Sequence, residues 1–381
     1  MGREQSSLET LGVNQNIQDS FKNLRVLITG DTGFKGSWLC EWLIGMGAEC
    51  FGLGLAPNTD PALFKQLGLE KRLHHKNLDI RDCSGLKKLV LDVQPDIVFH
   101  LAAQPLVRFS YDIPVETYET NVMGTVHLLD SLRFLNKKCA VVCITTDKCY
   151  ENQEWLHSYR ENDPLGGYDP YSSSKGACEI AIKSYRRSYF SDPDQCGVAI
   201  ASVRAGNVIG GGDWAVDRII PDCVSALKSA KPIPVRNLVA TRPWQHVLEP
   251  LSGYIILANE LWNGLSNQDS VASKVHYSKL CDAFNFGPNI ESNRTVYDLV
   301  KEVLKNWEGS WEDQSDPNAP HEASLLNLSR DKAFHLLNWS PRWDFSRTIK
   351  ETISWYKAAQ SNDVDARTFT QKQIQTYISL I

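Results

Sequence analysis

A short strand, a glycine-rich turn and a helix follow one another near residue 30 of this chain. Residues 25–29 are mostly apolar, Gly30, Gly33 and Gly36 come next at intervals of three, and an apolar helical pattern continues to Leu43. Glycines at this spacing let the backbone approach a pyrophosphate that is held at the amino end of the helix. The pattern therefore predicts a βα unit that binds a dinucleotide.

Strands and helices alternate along the chain after this unit. Predicted strands lie near residues 49–55, 75–80, 97–101, 140–144 and 198–203. The alternation predicts an α/β fold with a Rossmann-type doubly wound parallel sheet, whose ligands bind at the carboxyl ends of the strands. A change of rhythm after residue 205 indicates a smaller C-terminal α/β substrate domain. The predicted parts are a flexible N-terminal extension at 1–23, a NAD-binding Rossmann domain at 24–205 plus 244–287, a substrate domain at 206–243 plus 288–358, and a tail at 359–381.

A tyrosine and a lysine stand four residues apart at the start of a predicted helix. Tyr171 and Lys175 then lie on one helical face, so the ammonium can sit beneath the phenol. A phenol has a reference pKa of about 10 and must ionise near neutral pH to act as a base. The difference of about 3 units corresponds to about 4 kcal/mol, which a lysine and a cationic ring can supply together. We predict that both residues are catalytic and lie beside a nicotinamide.

The position that usually distinguishes NAD from NADP is uninformative in this sequence. An acidic residue about 20 positions beyond the glycines commonly binds the adenosine ribose. Here that point is Ala56-Pro57-Asn58, with no acid and no nearby arginine. The residues alone therefore leave the choice of cofactor open.

Six stretches in a fixed order resemble the extended short-chain dehydrogenases that act on nucleotide sugars. They are GDTGFKGSW, HLAAQPLVRFSY, TTDKCYEN, YDPYSSSKGACE, RAGNVIGGGDWAVDRIIPD and TRPWQHVLEPL, and the resemblance covers residues 24–358. It implies NAD as cofactor and the dehydration of a CDP-glucose-type nucleotide sugar, in the biosynthesis of deoxysugars for polysaccharides of the O-antigen type. It also implies a homodimer or higher homo-oligomer, with contacts through the helices at 118–135 and 171–190.

The resemblance also assigns residues to the two ligands. The cofactor would be lined by Gly30, Thr32, Gly33, Phe34, Lys35, Gly36, Asp79, Ile80, Leu101, Ala102, Ala103, Gln104, Asn121, Thr145, Tyr171 and Lys175. The nucleotide sugar would be bound by Gln104, Arg108, Thr146, Asn207, Arg218, Arg242 and His246. From the residues alone, Arg218 and Arg242 suit diphosphate oxygens because their guanidinium groups are planar forks. Asn121 suits helix packing equally well, and His246 suits a packed position that orients Arg242.

Thr146, Asp147 and Lys148 follow the predicted strand at 140–144 and supply groups for the implied dehydration. Oxidation at C4 of a hexose acidifies the hydrogen on C5, and its removal with the C6 hydroxyl needs a base and an acid. Thr146 can hydrogen-bond the C4 oxygen, and Asp147 can be the acid if burial raises its pKa. Lys148, where the related dTDP-glucose enzymes carry a carboxylate, can be the base if its pKa of about 10.4 falls by about 3 units. An ion pair with Asp147 is the alternative role of Lys148.

Charge and cysteine content exclude several other classes of protein. The net charge of −5 provides no basic surface for nucleic acid, and no apolar run is long enough for a membrane span. Ten cysteines without a Cys-x-x-Cys pair indicate reduced thiols in the cytoplasm and no metal site. Two rival functions stay open, a nucleotide-sugar 4-epimerase and a catalytically silent NAD-binding regulatory protein. Asp147 and Lys148 argue against the first, while Thr146, Tyr171 and Lys175 argue against the second.

Overall fold

The computed structural model describes residues 18–216, 218–266, 277–315, 325–360 and 365–381. The strands are β1 (Arg25–Thr29), β2 (Glu49–Gly54), β3 (His74–Asn77), β4 (Ile97–His100), β5 (Cys139–Ile144), β6 (Val198–Arg204), β7 (Val208–Ile209), β8 (Ile233–Val235), β9 (Thr241–Pro243), β10 (Gln245–His246), β11 (Ala283–Asn285), β12 (Asn293–Thr295) and β13 (Trp311–Asp313). The helices are α1 (Phe34–Gly45), α2 (Leu63–Gln66), α3 (Cys83–Val93), α4 (Val107–Asp112), α5 (Pro114–Tyr118), α6 (Gly124–Leu132), α7 (Pro170–Ser188), α8 (Pro193–Cys196), α9 (Ile219–Lys228), α10 (Leu248–Ser266), α11 (Val296–Asn306), α12 (Asp331–Leu337), α13 (Phe345–Ala358) and α14 (Ala366–Ile378).

A seven-stranded parallel sheet forms the centre of the molecule. Its strand order is β11-β6-β5-β4-β1-β2-β3, and every pairing within it is parallel. The strand order reverses direction between β1 and β4, which is where doubly wound sheets bind their ligands. The predicted Rossmann-type α/β fold is therefore confirmed.

Helices cover both faces of this sheet. Trp38 of α1 and Leu251 of α10 belong to the larger hydrophobic core on one face, whereas Val90 of α3, Leu129 of α6 and Ile182 of α7 belong to the core on the other. All residues of β5 and β6 are consequently buried. Burial on both faces explains why these strands are continuous apolar runs rather than alternating ones.

Short strand pairs and helices occupy the region that the sequence assigns to a substrate domain. β12 pairs antiparallel with β9, and β13 pairs parallel with β8. The helices α9, α11 and α13 fall in the same part of the chain. The exact division of the chain into two domains stays a prediction.

The two ends of the chain differ from the sequence-based prediction. The prediction of a tail at 359–381 is wrong for α14, because Tyr377 is fully buried and donates a 2.5 Å hydrogen bond to Glu249 Oε2. Of the predicted extension at 1–23, residues 1–17 lie outside the described part of the chain. Phe21 is fully buried and stacks on Phe99, so the packed structure begins before residue 24. Within the described ranges, we find no helix that is both long and apolar enough to cross a membrane.

Candidate active site

The glycine-rich turn at the amino end of α1 has no room for side chains at two of its glycines. Gly30 has a φ of +77°, and a Cβ there would lie 2.7 Å from the backbone nitrogen of Ala102. A Cβ on Gly36 would lie 2.1 Å from the carbonyl oxygen of Gly30. Both positions therefore require glycine, and the turn can approach a ligand as closely as a pyrophosphate needs. These residues fit a dinucleotide, as the spacing predicts.

The end of β5 presents a hydroxyl and a carboxylate side by side. Thr146 begins a 3₁₀ turn, Asp147–Cys149, and its Oγ1 donates a 2.9 Å hydrogen bond to Asp147 Oδ1. Both side chains are buried. The carboxylate is also packed against Gly206, just beyond β6, where a Cβ would lie 1.8 Å from Asp147 Oδ2. The absence of a side chain at Gly206 therefore leaves the space that the Asp147 carboxylate occupies.

The helix α7 brings the predicted tyrosine and lysine to the same place. Asp169 caps it by accepting a 2.8 Å hydrogen bond from the backbone nitrogen of Ser172. Tyr171 is its second residue, so the positive end of the helix dipole favours the ionised phenol. Lys175 follows one turn later, and both side chains are buried.

Burial opposes the charged forms of both groups. It raises the pKa of Tyr171, while the nearby Thr146 hydroxyl and the charge of Arg218 lower it. Burial likewise lowers the pKa of Lys175, and the neighbouring Glu179 carboxylate opposes that change. In the free protein the phenol is therefore protonated at neutral pH. A cationic ligand group beside it is the remaining source of stabilisation for the phenolate.

A buried ion pair lies directly behind these residues. Glu179, one turn beyond Lys175, accepts hydrogen bonds from Arg204 at 2.8 Å, from the Thr145 hydroxyl at 2.5 Å and from the Ser202 hydroxyl at 2.8 Å. Its partners overcome desolvation and lower the pKa of Glu179. The pair joins α7 to the ends of β5 and β6. The sequence reasoning missed it, although an acid four residues after Lys175 on a buried helical face was the available signal.

The two lysines near Asp147 differ from the expectations for them. Lys148 is half-buried, and no ion pair joins it to Asp147 in the described part of the chain, where the Asp147 carboxylate accepts the hydrogen bond of Thr146. Lys35 belongs to the glycine-rich turn, yet its electrostatic neighbours are Arg218, Asp147 and Lys175. Burial and the charge of Arg218 lower the pKa of Lys35 to about 8. Lys35 therefore belongs electrostatically to the reactive end of the site as well as to the turn.

The segment after β4 is held by a chain of buried hydrogen bonds. The backbone nitrogen of Ala102 donates to Thr29 Oγ1 at 3.1 Å, and Thr29 Oγ1 contacts His100 Nδ1 at 2.7 Å. Asn121, in the π-helical turn Glu119–Met123, accepts from the backbone nitrogen of Gln104 at 2.8 Å and donates to Ser174 at 2.9 Å. Leu101, Ala102 and Ala103 are partly exposed beside these anchors.

Three of the predicted cofactor contacts have side chains that are hydrogen-bonded within the protein. Asn121 is 1% exposed and fixes backbone and helix, as the packing alternative predicts. Asp79 Oδ2 accepts a 2.6 Å hydrogen bond from Arg81, which lowers the pKa of Asp79. Ile80, beside it, is buried. The amide of Gln104 likewise binds Leu106 and Thr117.

The residues predicted to bind the nucleotide sugar divide into two groups. Arg218 pairs with Asp213 at 2.7 Å and lies close enough to Tyr171 to influence its pKa. Asn207 and Arg242 are half-buried beyond β6 and in β9, and Arg108 is exposed on α4.

His246 cannot contact a substrate in this structure, so its predicted role as a ligand is wrong. Its ring is fully buried between Trp38 and Trp343, with centroids 5.8 Å and 4.7 Å away. Burial lowers the pKa of His246 to about 3, so the ring is neutral. The packed position that the residues alone left open is therefore observed, while an effect of His246 on the orientation of Arg242 stays a prediction.

Known proteins match this chain over most of its length. The family model for GDP-mannose 4,6 dehydratase matches residues 27–352. A CDP-glucose 4,6-dehydratase from Salmonella typhimurium is 45% identical over 359 residues, which span 93% of this chain and 96% of that protein. A dTDP-glucose 4,6-dehydratase from Shigella flexneri is 24% identical over 364 residues, which span 88% of this chain and 93% of that protein.

Solved structures share the fold at lower identity. A dTDP-glucose 4,6-dehydratase from Streptomyces venezuelae, with NAD bound, has a TM-score of 0.71 at 22% identity and covers 88% of this chain and 97% of its own. A UDP-glucose 4-epimerase from Stenotrophomonas maltophila has a TM-score of 0.73 at 19% identity, with 88% and 98% covered. These structures support the fold, whereas the family model and the 45% identical relative establish which family the chain belongs to. The chain belongs to the GDP-mannose 4,6 dehydratase family, among the extended short-chain dehydrogenases.

Proposed function

We propose that this protein is a lyase that dehydrates CDP-glucose to CDP-4-dehydro-6-deoxyglucose with NAD as a recycled cofactor. The observation that carries the proposal is the hydrogen-bonded pair of Thr146 and Asp147 next to the phenol of Tyr171. Oxidation at C4 needs only a base and a nicotinamide, whereas elimination of water also needs an acid at C6. The buried Asp147 supplies that acid. A 4-epimerase has no use for it, so dehydration is the favoured reaction.

The first half of the reaction is the oxidation of C4. When bound, NAD⁺ supplies the acceptor for the C4 hydride and later the donor that reduces C6. Tyr171 takes the proton of the C4 hydroxyl, and the Thr146 hydroxyl holds the C4 oxygen in place. The ammonium of Lys175, one turn along α7, stabilises the phenolate. The hydrogen bonds of Glu179 to Thr145 and Arg204 hold α7 in place against the ends of β5 and β6 during this step.

The second half is the elimination of water across C5 and C6. The C4 ketone acidifies the C5 hydrogen, and Lys148 is the residue that we assign to its removal. Asp147 gives its proton to the C6 hydroxyl, which leaves as water, and the C5–C6 double bond forms. Hydride addition at C6 and protonation at C5 then complete the 6-deoxy product. Lys148 is the middle residue of the 3₁₀ turn that begins with Asp147, and this closeness favours it over more distant bases.

Cationic and amide side chains beyond β6 provide the site for the nucleotide diphosphate. Arg218 and Arg242 carry the planar donors that diphosphate oxygens prefer, and the half-buried Asn207 adds an amide. The assignment of cytidine rests on the 45% identical CDP-glucose 4,6-dehydratase. Deoxysugar biosynthesis for polysaccharides of the O-antigen type is the pathway that such a product would enter.

A substrate panel tests the proposal directly. The purified protein would be incubated with NAD⁺ and, in turn, CDP-, dTDP-, GDP- and UDP-glucose, and each product would be identified by mass and proton spectra. We expect a 4-keto-6-deoxy sugar with CDP-glucose and much less with the other three nucleotides. CDP-galactose as the product would instead identify a 4-epimerase. Reaction only with another nucleotide would refute the assignment of cytidine.

We also propose that two copies form a dimer in the cytoplasm through the surface made by α4 to α7. This surface exposes large apolar side chains, namely Phe109, Tyr111, Val115, Tyr118, Met123, Phe134, Ile180 and Tyr189. Large apolar side chains exposed on one set of helices are typical of protein interfaces. Val115→Asp together with Ile180→Asp should give monomers in light scattering, whereas Phe334→Asp, which alters an exposed residue of α12, should leave dimers. Ten free cysteines suit a reducing compartment.

A further inference from the structure

The end of β2 lacks the acid that dinucleotide-binding folds usually place there. In such folds a carboxylate at the end of the second strand accepts hydrogen bonds from the adenosine ribose and disfavours a 2′-phosphate. Here β2 ends at Gly54, and Leu55, Ala56 and Pro57 follow it. A glycine in this position leaves the ribose end of the site without a side chain from β2.

A carboxylate from another part of the chain fills that space. Asp31 belongs to the glycine-rich turn after β1, and its side chain packs against Gly52 and Gly54 of β2. A Cβ on Gly54 would lie 2.8 Å from Asp31 Oδ1, and a Cβ on Gly52 would lie 2.0 Å from Asp31 Oδ2. Thr32 Oγ1 converges on the same point, 2.9 Å from the Cβ position of Gly54. The two glycines of β2 therefore make room for the side chains of the turn.

The two oxygens of this carboxylate differ in their hydrogen bonding. His75 Nδ1 of β3 lies 2.7 Å from Asp31 Oδ2. Asp31 is fully buried, and Oδ1 receives no well-formed hydrogen bond from the residues that the structure describes, although the backbone N–H groups of Asp31 and Thr32 help to lower the pKa of the carboxyl. Burial raises the pKa of Asp31, and the hydrogen bond and charge of His75 oppose that change. A buried carboxylate oxygen without a donor is costly unless a ligand supplies one.

We propose that Asp31 replaces the missing acid of β2, accepts a hydrogen bond from the adenosine ribose and selects NAD over NADP, with His75 as its positioning residue. The inference rests on the proposed use of a nicotinamide dinucleotide. Oδ1 is buried in this structure, and the Thr32 hydroxyl donates a 2.9 Å hydrogen bond to the carbonyl of Leu55 nearby. The ribose hydroxyl reaches Oδ1 when the side chain of Thr32 rotates away. A 2′-phosphate would instead bring a second negative charge against this carboxylate at low dielectric.

Binding measurements without sugar separate this role from catalysis. NAD⁺ and NADP⁺ would be titrated calorimetrically into the wild-type protein and Asp31→Asn. We expect Asp31→Asn to bind NAD⁺ about ten- to a hundredfold more weakly, the effect of losing a hydrogen bond to a charged group. The preference for NAD⁺ over NADP⁺ should shrink as well. Glu249→Gln, which alters another buried carboxylate packed against α14, should retain the wild-type affinity for NAD⁺.

A double variant that transfers the carboxylate from residue 31 to β2 tests whether NAD⁺ binding can be restored. Gly54→Asp alone should abolish NAD⁺ binding, because its Cβ meets Asp31. Asp31→Gly combined with Gly54→Asp should recover NAD⁺ affinity to within about tenfold of the wild type, a residual difference of about 1.4 kcal/mol. This double variant also carries the test if Asp31→Asn does not fold.

Three outcomes of these titrations would count against the proposals, and they can be told apart. Unchanged affinity for both dinucleotides in a folded Asp31→Asn protein would overturn the role of Asp31. A folded double variant that binds no NAD⁺ would overturn it too. Failure of the wild-type protein to bind either dinucleotide would refute the proposed function itself.

Discussion

The carboxylate of Asp147 lies against the α-carbon of Gly206, at a distance that leaves no room for a side chain. A Cβ on Gly206 would lie 1.8 Å from Oδ2 and 2.2 Å from the carboxylate carbon. Asp147 reaches this position from the end of β5, and Gly206 follows the neighbouring strand β6. The position of the proposed acid therefore depends on a residue that has no functional group of its own.

Gly206→Ala should consequently impair catalysis without touching a reactive atom. The added methyl group must displace Asp147 by more than an ångström, and misplacement of that size costs about a hundredfold in rate. Steady-state product formation from CDP-glucose measures the effect. Gly45→Ala is the matched control, because a Cβ on Gly45 meets nothing within 4 Å. Equal activity of the two variants would contradict the assigned position of the acid.

Asp147→Asn should separate the two halves of the reaction. The amide keeps the shape of the side chain and leaves Tyr171 and Lys175 intact, but it cannot protonate the C6 hydroxyl. Rapid mixing should therefore show reduced nicotinamide forming and persisting while the 6-deoxy product appears slowly. Tyr171→Phe, which lacks the base for the first step, should show neither. Parallel loss of both signals in Asp147→Asn would refute this division of roles.

Glu179→Gln should destabilise the fold strongly, because it leaves Arg204 buried without its counter-charge. The two side chains are each 3% exposed, and breaking such a pair costs about 3–5 kcal/mol. Urea unfolding measures the loss. Lys305→Ala, which removes an exposed pair with Glu302, should cost less than about 1 kcal/mol. Replacing both Glu179 and Arg204 by methionine should recover much of the stability, and a double variant no more stable than Glu179→Gln would argue against the ion-pair explanation.

Local patterns predicted the fold and the shared helix of Tyr171 and Lys175, because their causes are local. The glycines at 30, 33 and 36 and the tyrosine–lysine spacing on α7 each depend on a few neighbouring residues. Long-range packing decided what the sequence could not show. Glu179 contacts Arg204 only because α7 packs against β6. Asp31 contacts Gly54 only because the turn after β1 packs against β2.

Two incorrect predictions have the same origin in tertiary packing. His246 has a polar ring, so its type suggested a ligand, but indole rings on both sides bury it. The helix α14 is largely polar, and its few apolar residues gave no periodic signal. A cap at Asp365 and the contact of Tyr377 with Glu249 hold it in place.

The contact between Glu249 and α14 should make stability depend on pH. Burial raises the pKa of Glu249 from 4.5 to about 7. Between those values the unfolded chain has released a proton that the folded protein keeps, so stability falls as pH rises, by up to about 1.4 kcal/mol per unit. Above about pH 7 this contribution is constant.

The stability advantage of the wild-type protein over Glu249→Gln should therefore shrink between about pH 5 and about pH 7. Urea unfolding at a series of pH values measures both proteins. Glu308→Gln, at an exposed residue, should instead follow the wild type at a constant offset. A constant offset for Glu249→Gln would show that this carboxyl titrates normally.

Turnover of CDP-glucose in deuterated water tests the reaction at the level of atoms. In the proposed mechanism Lys148 removes the C5 proton, which then belongs to an ammonium that exchanges with solvent, and a solvent-derived proton re-enters at C5 after elimination. The product should therefore carry deuterium at C5, while the hydrogen that left C4 reappears at C6 of the same sugar. A 4-epimerase would label neither carbon, because it returns the hydride to C4. Lys148→Gln should keep C4 oxidation but greatly slow labelling at C5, since the base is gone while Tyr171 remains. Deuterium at C6 without deuterium at C5 would overturn the mechanism, because the hydrogen delivered to C6 must come from the substrate and the one at C5 from the solvent.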